Sequence, residues 1–274
     1  MTTVTAWLSV SATGKRTFYL GADSQGTSLQ TGQAVSLREK KVFESVCTPE
    51  IFALSGDLQW GQSFLRQLLK EIQRAAIQSS PGTRGRAEEF CGLPCATPLM
   101  GPICELEILY GARCDAEGPA NFQLYRLHHA GRANSSWSVN QIGENELNSK
   151  KSAHVYSSGL GGRANKDRQK CIAKGDQGNV ARTCFWSLCD LVNGIPSKSF
   201  MTGGHPQLVK LDQRGFGHAV GVKFNGVPTV YGRRTTNPHS FAKFWVDENF
   251  TQLNPETLEK YGQAQRYGRS RSGR

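Results

Sequence analysis

Residues 3–10, TVTAWLSV, and 17–23, TFYLGAD, are two runs of β-branched and aromatic side chains separated by a Gly-Lys-Arg turn. Such side chains suit the pleated, half-buried surface of a strand, and a short glycine-containing break between two such runs predicts a hairpin. The chain therefore begins inside a sheet. A second strand pair is predicted at about 41–46 (KVFESV) and 51–55 (IFALS), broken by Thr48-Pro49. Asp57 then stands as an N-cap before a stretch in which Trp60, Phe64, Leu65, Leu68, Leu69, Ile72 and Ala76 recur at helical spacing. That apolar stripe predicts a helix laid on the sheet.

Further along, strands are predicted at 104–112 (CELEILYGA) and 121–128 (NFQLYRLH), joined by an Asp-Ala-Glu-Gly-Pro turn. An apolar patch at 153–157 leads into SSGLGGRA, and 179–193 (NVARTCFWSLCDLVN) reads as a second amphipathic helix. Residues 206–212, 217–224 and 228–232 are again strand-like. Between about 79 and 102, a Ser-Pro-Gly-Thr-Arg-Gly run and three further prolines read as a loop or irregular insertion. Two strand clusters, each with a helical segment behind it, predict a layered α/β or α+β domain over residues 2–250. From 251 to 274 apolar residues are few, and the stretch is expected to be a flexible basic tail.

The formal charge of +11 invites a nucleic-acid reading. However, residues 260–274 carry Lys260, Arg266, Arg269, Arg271 and Arg274 with no acid, which is five of those eleven charges. Nucleic acid is therefore not the expected partner. No apolar run approaches the ~20 residues that span a bilayer, and the N-terminus lacks the basic-then-apolar layout of a signal peptide. A cytoplasmic location off the membrane is expected. The eight cysteines are irregularly spread in a chain too long to need staples, so reduced thiols are expected. Cys91, Cys95, Cys104 and Cys114 lack paired CxxC spacing, and adjacent His128 and His129 would face opposite sides of a strand; no metal site or cofactor is expected.

Thr2 follows Met1, and a small second residue permits an aminopeptidase to trim the methionine, leaving a threonine with a free amine. An α-amino group has a pKa of ~7.7–8.0 against ~10.4 for lysine, so it is able to take the hydroxyl proton near neutrality. The segments TTVTAW, LGADSQGT, REKKVF and IFALSGD follow in order across the first 57 residues. In that order they resemble the proteasome β-subunit family of N-terminal-nucleophile hydrolases, including the bacterial peptidase HslV and its homologues. The similarity is clearest over 2–78 and returns more faintly at 104–128, 153–163 and 202–212.

The resemblance implies a fold, a reaction and an assembly. The fold is an α+β, four-layer α-β-β-α sandwich, and the activity is that of a threonine-type endopeptidase acting on unfolded polypeptide. Thr2 matches the family's nucleophile, Lys41 its essential lysine, and Asp23 the acid that holds that lysine. Ala53 matches the residue whose backbone amide stabilises the oxyanion, and with Thr27 it matches a clamp on extended substrate. Ser158 matches a serine beside the nucleophile's amine, with Ser157 as an adjacent competitor. Thr202 matches an outer serine, whose partner aspartate falls here on Ser199. Gly26, Ile51 and Ser55 match positions near the primary pocket. The family assembles as stacked hexameric or heptameric rings fed by a separate AAA+ ring ATPase. Two rivals stand beside this reading: a related amidohydrolase acting on small amides, and a noncatalytic module that binds nucleic acid.

Overall fold

The computed structural model of the chain describes residues 3–27, 34–97, 104–114, 121–131, 135–159, 161–172, 181–194 and 202–261. The opening hairpin forms as its residue pattern predicts. Strand β1 (Val4–Val10) runs antiparallel to β2 (Arg16–Ala22), with Val4 opposite Ala22 and Val10 opposite Arg16. A turn closed by the Ser11 amide donating to Lys15 O (2.9 Å) joins them, and Gly14 takes the left-handed conformation the turn requires, at φ 78°. Alternation along β1 sends Val4, Ala6 and Leu8 to one face and Trp7 to the other.

The hairpin lies within a nine-stranded sheet. β2 pairs with β11 (Gln207–Asp212), which continues through β12 (Gly217–Phe224) and β13 (Val227–Val230) to β14 (Arg233–Arg234). On the other side of β1 lies β10 (Ala153–Ser158), and β12 also pairs, in parallel, with β15 (Phe244–Asp247), which carries β16 (Gln252–Leu253). A second, five-stranded antiparallel sheet orders β5 (Val42–Glu44), β6 (Glu50–Gly56), β7 (Leu106–Cys114), β8 (Asn121–His129) and β9 (Trp137–Gln141). A short pair, β3 (Gly26–Thr27) and β4 (Ala34–Ser36), stands between β2 and β5 in the chain.

The sheets share a core. Val4, Ala6, Leu8, Phe18, Leu20, Val209 and Leu211 from one meet Val42, Ile51, Ala53, Leu109, Phe122 and Leu124 from the other. Helix α1 (Leu58–Gln73) is capped by Asp57, whose side chain accepts from the Trp60 amide at 3.0 Å. It lays Phe64, Leu65, Leu68 and Ile72 on Phe52, Leu54, Leu106 and Ile108. Helix α5 (Ala181–Val192) packs Cys184, Phe185 and Cys189 against Trp7, Leu208 and Val220. Burying each such large side chain is worth about 1.5–3 kcal/mol.

The expected four-layer α-β-β-α sandwich is not the architecture found. The fold is mixed and β-rich, with a nine- and a five-stranded sheet, mostly antiparallel, and five short helices among the described residues. Beyond α1 and α5 these are α2 (Arg84–Cys91), α3 (Glu144–Leu147) and α4 (Gly162–Ile172). The physical reason lies in residues 217–253. They extend the first sheet as strands, and their cluster of Val230, Ala242, Trp245 and Leu253 buries itself without a helix.

Two boundaries also differ from expectation. The 79–102 insertion contains α2 and a 3-10 turn at Pro94–Ala96, and both send residues into the core: Ala87, Phe90 and Ala96. Residues 251–260 belong to the fold rather than to a tail, since Leu253 is buried and Leu258 O accepts from Lys223 Nζ at 3.2 Å. The basic residues from Arg266 onward lie outside the described residues. No helix among the described residues is long and apolar enough to cross a membrane.

Candidate active site

The register of the first hairpin builds the site. Because Val4 faces Ala22, the residues just beyond, Thr3 and Asp23, meet at the open end, where the Asp23 amide donates to Thr3 O at 3.2 Å. The Asp23 carboxylate is fully buried and accepts four hydrogen bonds. Oδ1 receives the Thr3 amide at 2.9 Å and Lys41 Nζ at 3.0 Å. Oδ2 receives the Gln25 amide at 3.1 Å and the Gly203 amide at 3.3 Å.

Lys41 reaches Asp23 from the other sheet. It immediately precedes β5, and its carbonyl accepts from the Leu54 amide of β6 at 2.9 Å. The whole side chain is buried, and Nζ also donates to Gln25 O. The third ammonium hydrogen has no partner among the described residues. Burial pulls the Lys41 ammonium below the ordinary lysine pKa, and attraction to Asp23, then to Glu39, opposes that pull.

A second group of residues closes over Thr3. Thr3 Oγ1 and Thr202 Oγ1 lie 2.9 Å apart, both buried. A Cβ on Gly161 would stand 1.8 Å from Thr3 Oγ1 and 2.7 Å from Thr202 Oγ1, so only glycine permits this approach. Ser158 pairs with Val4 at the Thr3 end of β1. Ser157 turns to the opposite side: its Oγ donates to Thr5 Oγ1 (3.1 Å), receives Asn165 Nδ2 (3.1 Å) and lies 2.7 Å from His154 Nε2.

Burial, then Lys166 and Lys170, hold His154 down at about 4. The folded protein thus binds fewer protons at this ring than the unfolded chain between about 4 and the ordinary 6.5. Stability contributed by the neutral ring is present above 6.5 and is lost as pH falls, by about 2–3 kcal/mol near pH 4. Urea midpoints across that window are expected to fall more steeply in the wild type than in His154→Gln. Parallel curves would remove His154 from the acid response.

Other expected site residues fall less simply. Thr2 and Ser199 lie outside the described residues, as does the side chain of Thr27, although its backbone pairs in β3. Gly26 and Ser55 are buried, Gly26 in β3 and Ser55 in β6. Ile51 and Ala53 have no exposed surface and pack in the core between the sheets, so Ile51 is not the wall of an open pocket in this conformation. Ala53 is also not set as a free oxyanion donor. Leu54 bonds to β5, and antiparallel alternation turns the neighbouring Ala53 amide toward Leu109 of β7. The pocket formed by Lys223, Asp247, Glu248 and Lys260 belongs to the 217–260 region and holds none of these residues.

Reading the sequence missed Thr3, Gln25, Gly161 and Gln207. The first three adjoin motifs that were visible, whereas Gln207 has no local signal. Among the described residues no group of three or more His, Cys, Asp and Glu side chains is placed to hold a metal ion. His128 pairs with Glu105, and His129 packs against Trp60 and Trp137. Buried Asp23 and Lys41, with Thr3 and the Thr202 hydroxyl beside it, can polarise and desolvate whatever group occupies the start of β1. No protein-family model and no curated protein matches the chain.

Proposed function

We propose that the chain is a threonine-type, N-terminal-nucleophile peptidase related to proteasome β subunits, with Thr2 as nucleophile. One observation supports this above the rest: a fully buried Lys41–Asp23 pair, joined at 3.0 Å, is hydrogen-bonded through Asp23 to the amide of Thr3, the next residue in the chain. A buried ion pair is costly to build and is weak evidence for stability, which favours a chemical role for it.

In the proposed reaction, cleavage before Thr2 frees its α-amine. That amine takes the Thr2 hydroxyl proton as Oγ attacks the substrate carbonyl carbon, and it returns the proton to the departing amine of the peptide. Water then attacks the Thr2 ester, releasing the acid product and restoring the hydroxyl. In this proposal the Lys41 ammonium, bonded to the carboxylate that holds the Thr3 amide, keeps the α-amine neutral by charge repulsion, and Asp23 fixes that ammonium in place. Polypeptide substrates, a homo-oligomeric ring of six or seven subunits, a cytoplasmic location and a separate ATPase complete the proposal.

The test is incubation of the purified protein with a β-lactone or epoxyketone, followed by peptide mapping by mass spectrometry. The expected result is one adduct, on Thr2, absent from Thr2→Ala. An adduct elsewhere, or Thr2 still preceded by an uncleaved residue in protein that turns over peptide, overturns the proposal. Thr2 labelling with hydrolysis of small amides but not of unfolded polypeptide would move the substrate class to the amidohydrolase rival.

A further inference from the structure

We infer that Gln207 is the positioning residue that sets Asp23 against Lys41 across the two sheets; the inference rests on the function proposed above. Asp23 follows β2 in the nine-stranded sheet, whereas Lys41 precedes β5 at the edge of the five-stranded sheet. Sheet hydrogen bonding therefore fixes each residue within its own sheet, and the Glu39 amide, donating to Ser24 O at 2.9 Å, joins the segments that carry them. Gln207 adds the one side chain that bonds the main chain of both ion-pair partners. As the first residue of β11 it pairs with Ala22, next to Asp23, and it has no exposed surface.

Its single amide group makes three bonds, all to backbone. Oε1 accepts from the Lys41 amide at 3.0 Å. Nε2 donates to Asp23 O at 3.0 Å and to Glu39 O at 2.6 Å. Both donor hydrogens are thus used, and the flipped amide would set oxygen against two carbonyls, so only one orientation fits. One side chain from the first sheet grips the main chain on both sides of the ion pair. Because the partners are backbone atoms, no other residue type of similar length supplies both the acceptor and the two donors; ionised glutamate lacks the donors, and methionine lacks the donors and offers only a weak sulfur acceptor.

Two variants separate positioning from packing. Gln207→Met keeps the length and loses the bonds; Thr2 capture by the β-lactone is expected to slow by about 10²-fold, the cost of displacing a reacting group by about 1 Å. Gln207→Glu keeps the acceptor but adds a negative charge near Lys41, whose ammonium is otherwise bonded to the Asp23 carboxylate and attracted more weakly by Glu39. Both limbs of the pH profile of Thr2 capture are then expected to move to higher pH, a change that loosened packing would not produce.

Circular dichroism and urea midpoints establish that each variant is folded, and the NMR titration of the lysine ammonium in Gln207→Glu gives a readout independent of capture. Wild-type capture at Thr2 with both variants unchanged in rate and profile overturns the role of Gln207 and leaves the function standing. A wild type that never labels at Thr2 overturns both. If Gln207→Met does not fold, an unmoved profile and an unmoved lysine titration in Gln207→Glu still overturn the inference.

Discussion

In Lys41→Met, capture of β-lactone at Thr2 falls by about 10²–10⁴-fold, the range lost when a positioned acid-base element is removed. The same substitution lowers stability by about 3–5 kcal/mol, because it breaks a buried pair and leaves one charge uncompensated. The two losses have different origins. Asp23 keeps the Thr3, Gln25 and Gly203 amides, so it remains hydrogen-bonded, but none of these carries the positive charge that Lys41 brings. In Lys41→Met with Asp23→Asn the buried charge is gone from both sides, and part of the lost stability is expected to return in urea titrations while capture stays absent; the rest stays lost because the new NH2 group faces the Thr3 amide, itself a donor. A single variant that labels at the wild-type rate would sink the catalytic role, and a double variant no more stable than the single would sink the electrostatic account.

The parts of this molecule that could be read from its sequence are those whose cause is local. TVTAWLSV and TFYLGAD alternate over a short turn, and the hairpin follows; Asp57 precedes a clean apolar stripe, and α1 starts there. Helix α4 escaped notice because the residues it buries, Asn165 and Gln169, are polar, so a search for hydrophobic periodicity finds no stripe. β16 is two residues long and exists only through its pairing with β15. The four-layer architecture is what the resemblance implies and not what the residues say: 217–224 and 228–232 read as strands, and in the fold they cover their own core. At the site, Asp23 and Lys41 stood out by motif. Ile51 and Ala53 lie on the face of β6 that packs against the first sheet, which alternation in IFALS puts on one side of the strand. Gln207 acts on residues 166 and 184 positions away, and nothing near it in the chain announces that.

The same distinction governs the second large effect, which lies on the far face of β6 from the candidate site. Glu50 has no exposed surface, and it receives Arg86 Nε at 2.8 Å and Nη2 at 2.7 Å in a forked pair. Tyr110 donates to Glu50 at 2.6 Å and accepts the Gly82 amide at 2.9 Å, while Arg86 Nη1 donates to Ser79 O at 2.7 Å. This network, together with the buried Ala87 and Phe90, ties the 79–91 segment to the sheet and makes a helix of a stretch that reads as loop. Arg86→Ala strands a buried carboxylate and is expected to cost about 3–5 kcal/mol. Arg86→Lys recovers little, because a point charge cannot form the fork. In a double-mutant cycle with Glu50→Gln, the coupling energy is expected to exceed about 1 kcal/mol, as for residues sharing one network. Thr2 capture, measured where each variant remains folded, should be unchanged, since Glu50 faces the α1 side of β6 and Asp23 lies beyond the opposite face. Additive losses in the cycle would show that α2 is held by Ala87 and Phe90 alone, and the helix would then owe its place to packing rather than to charge.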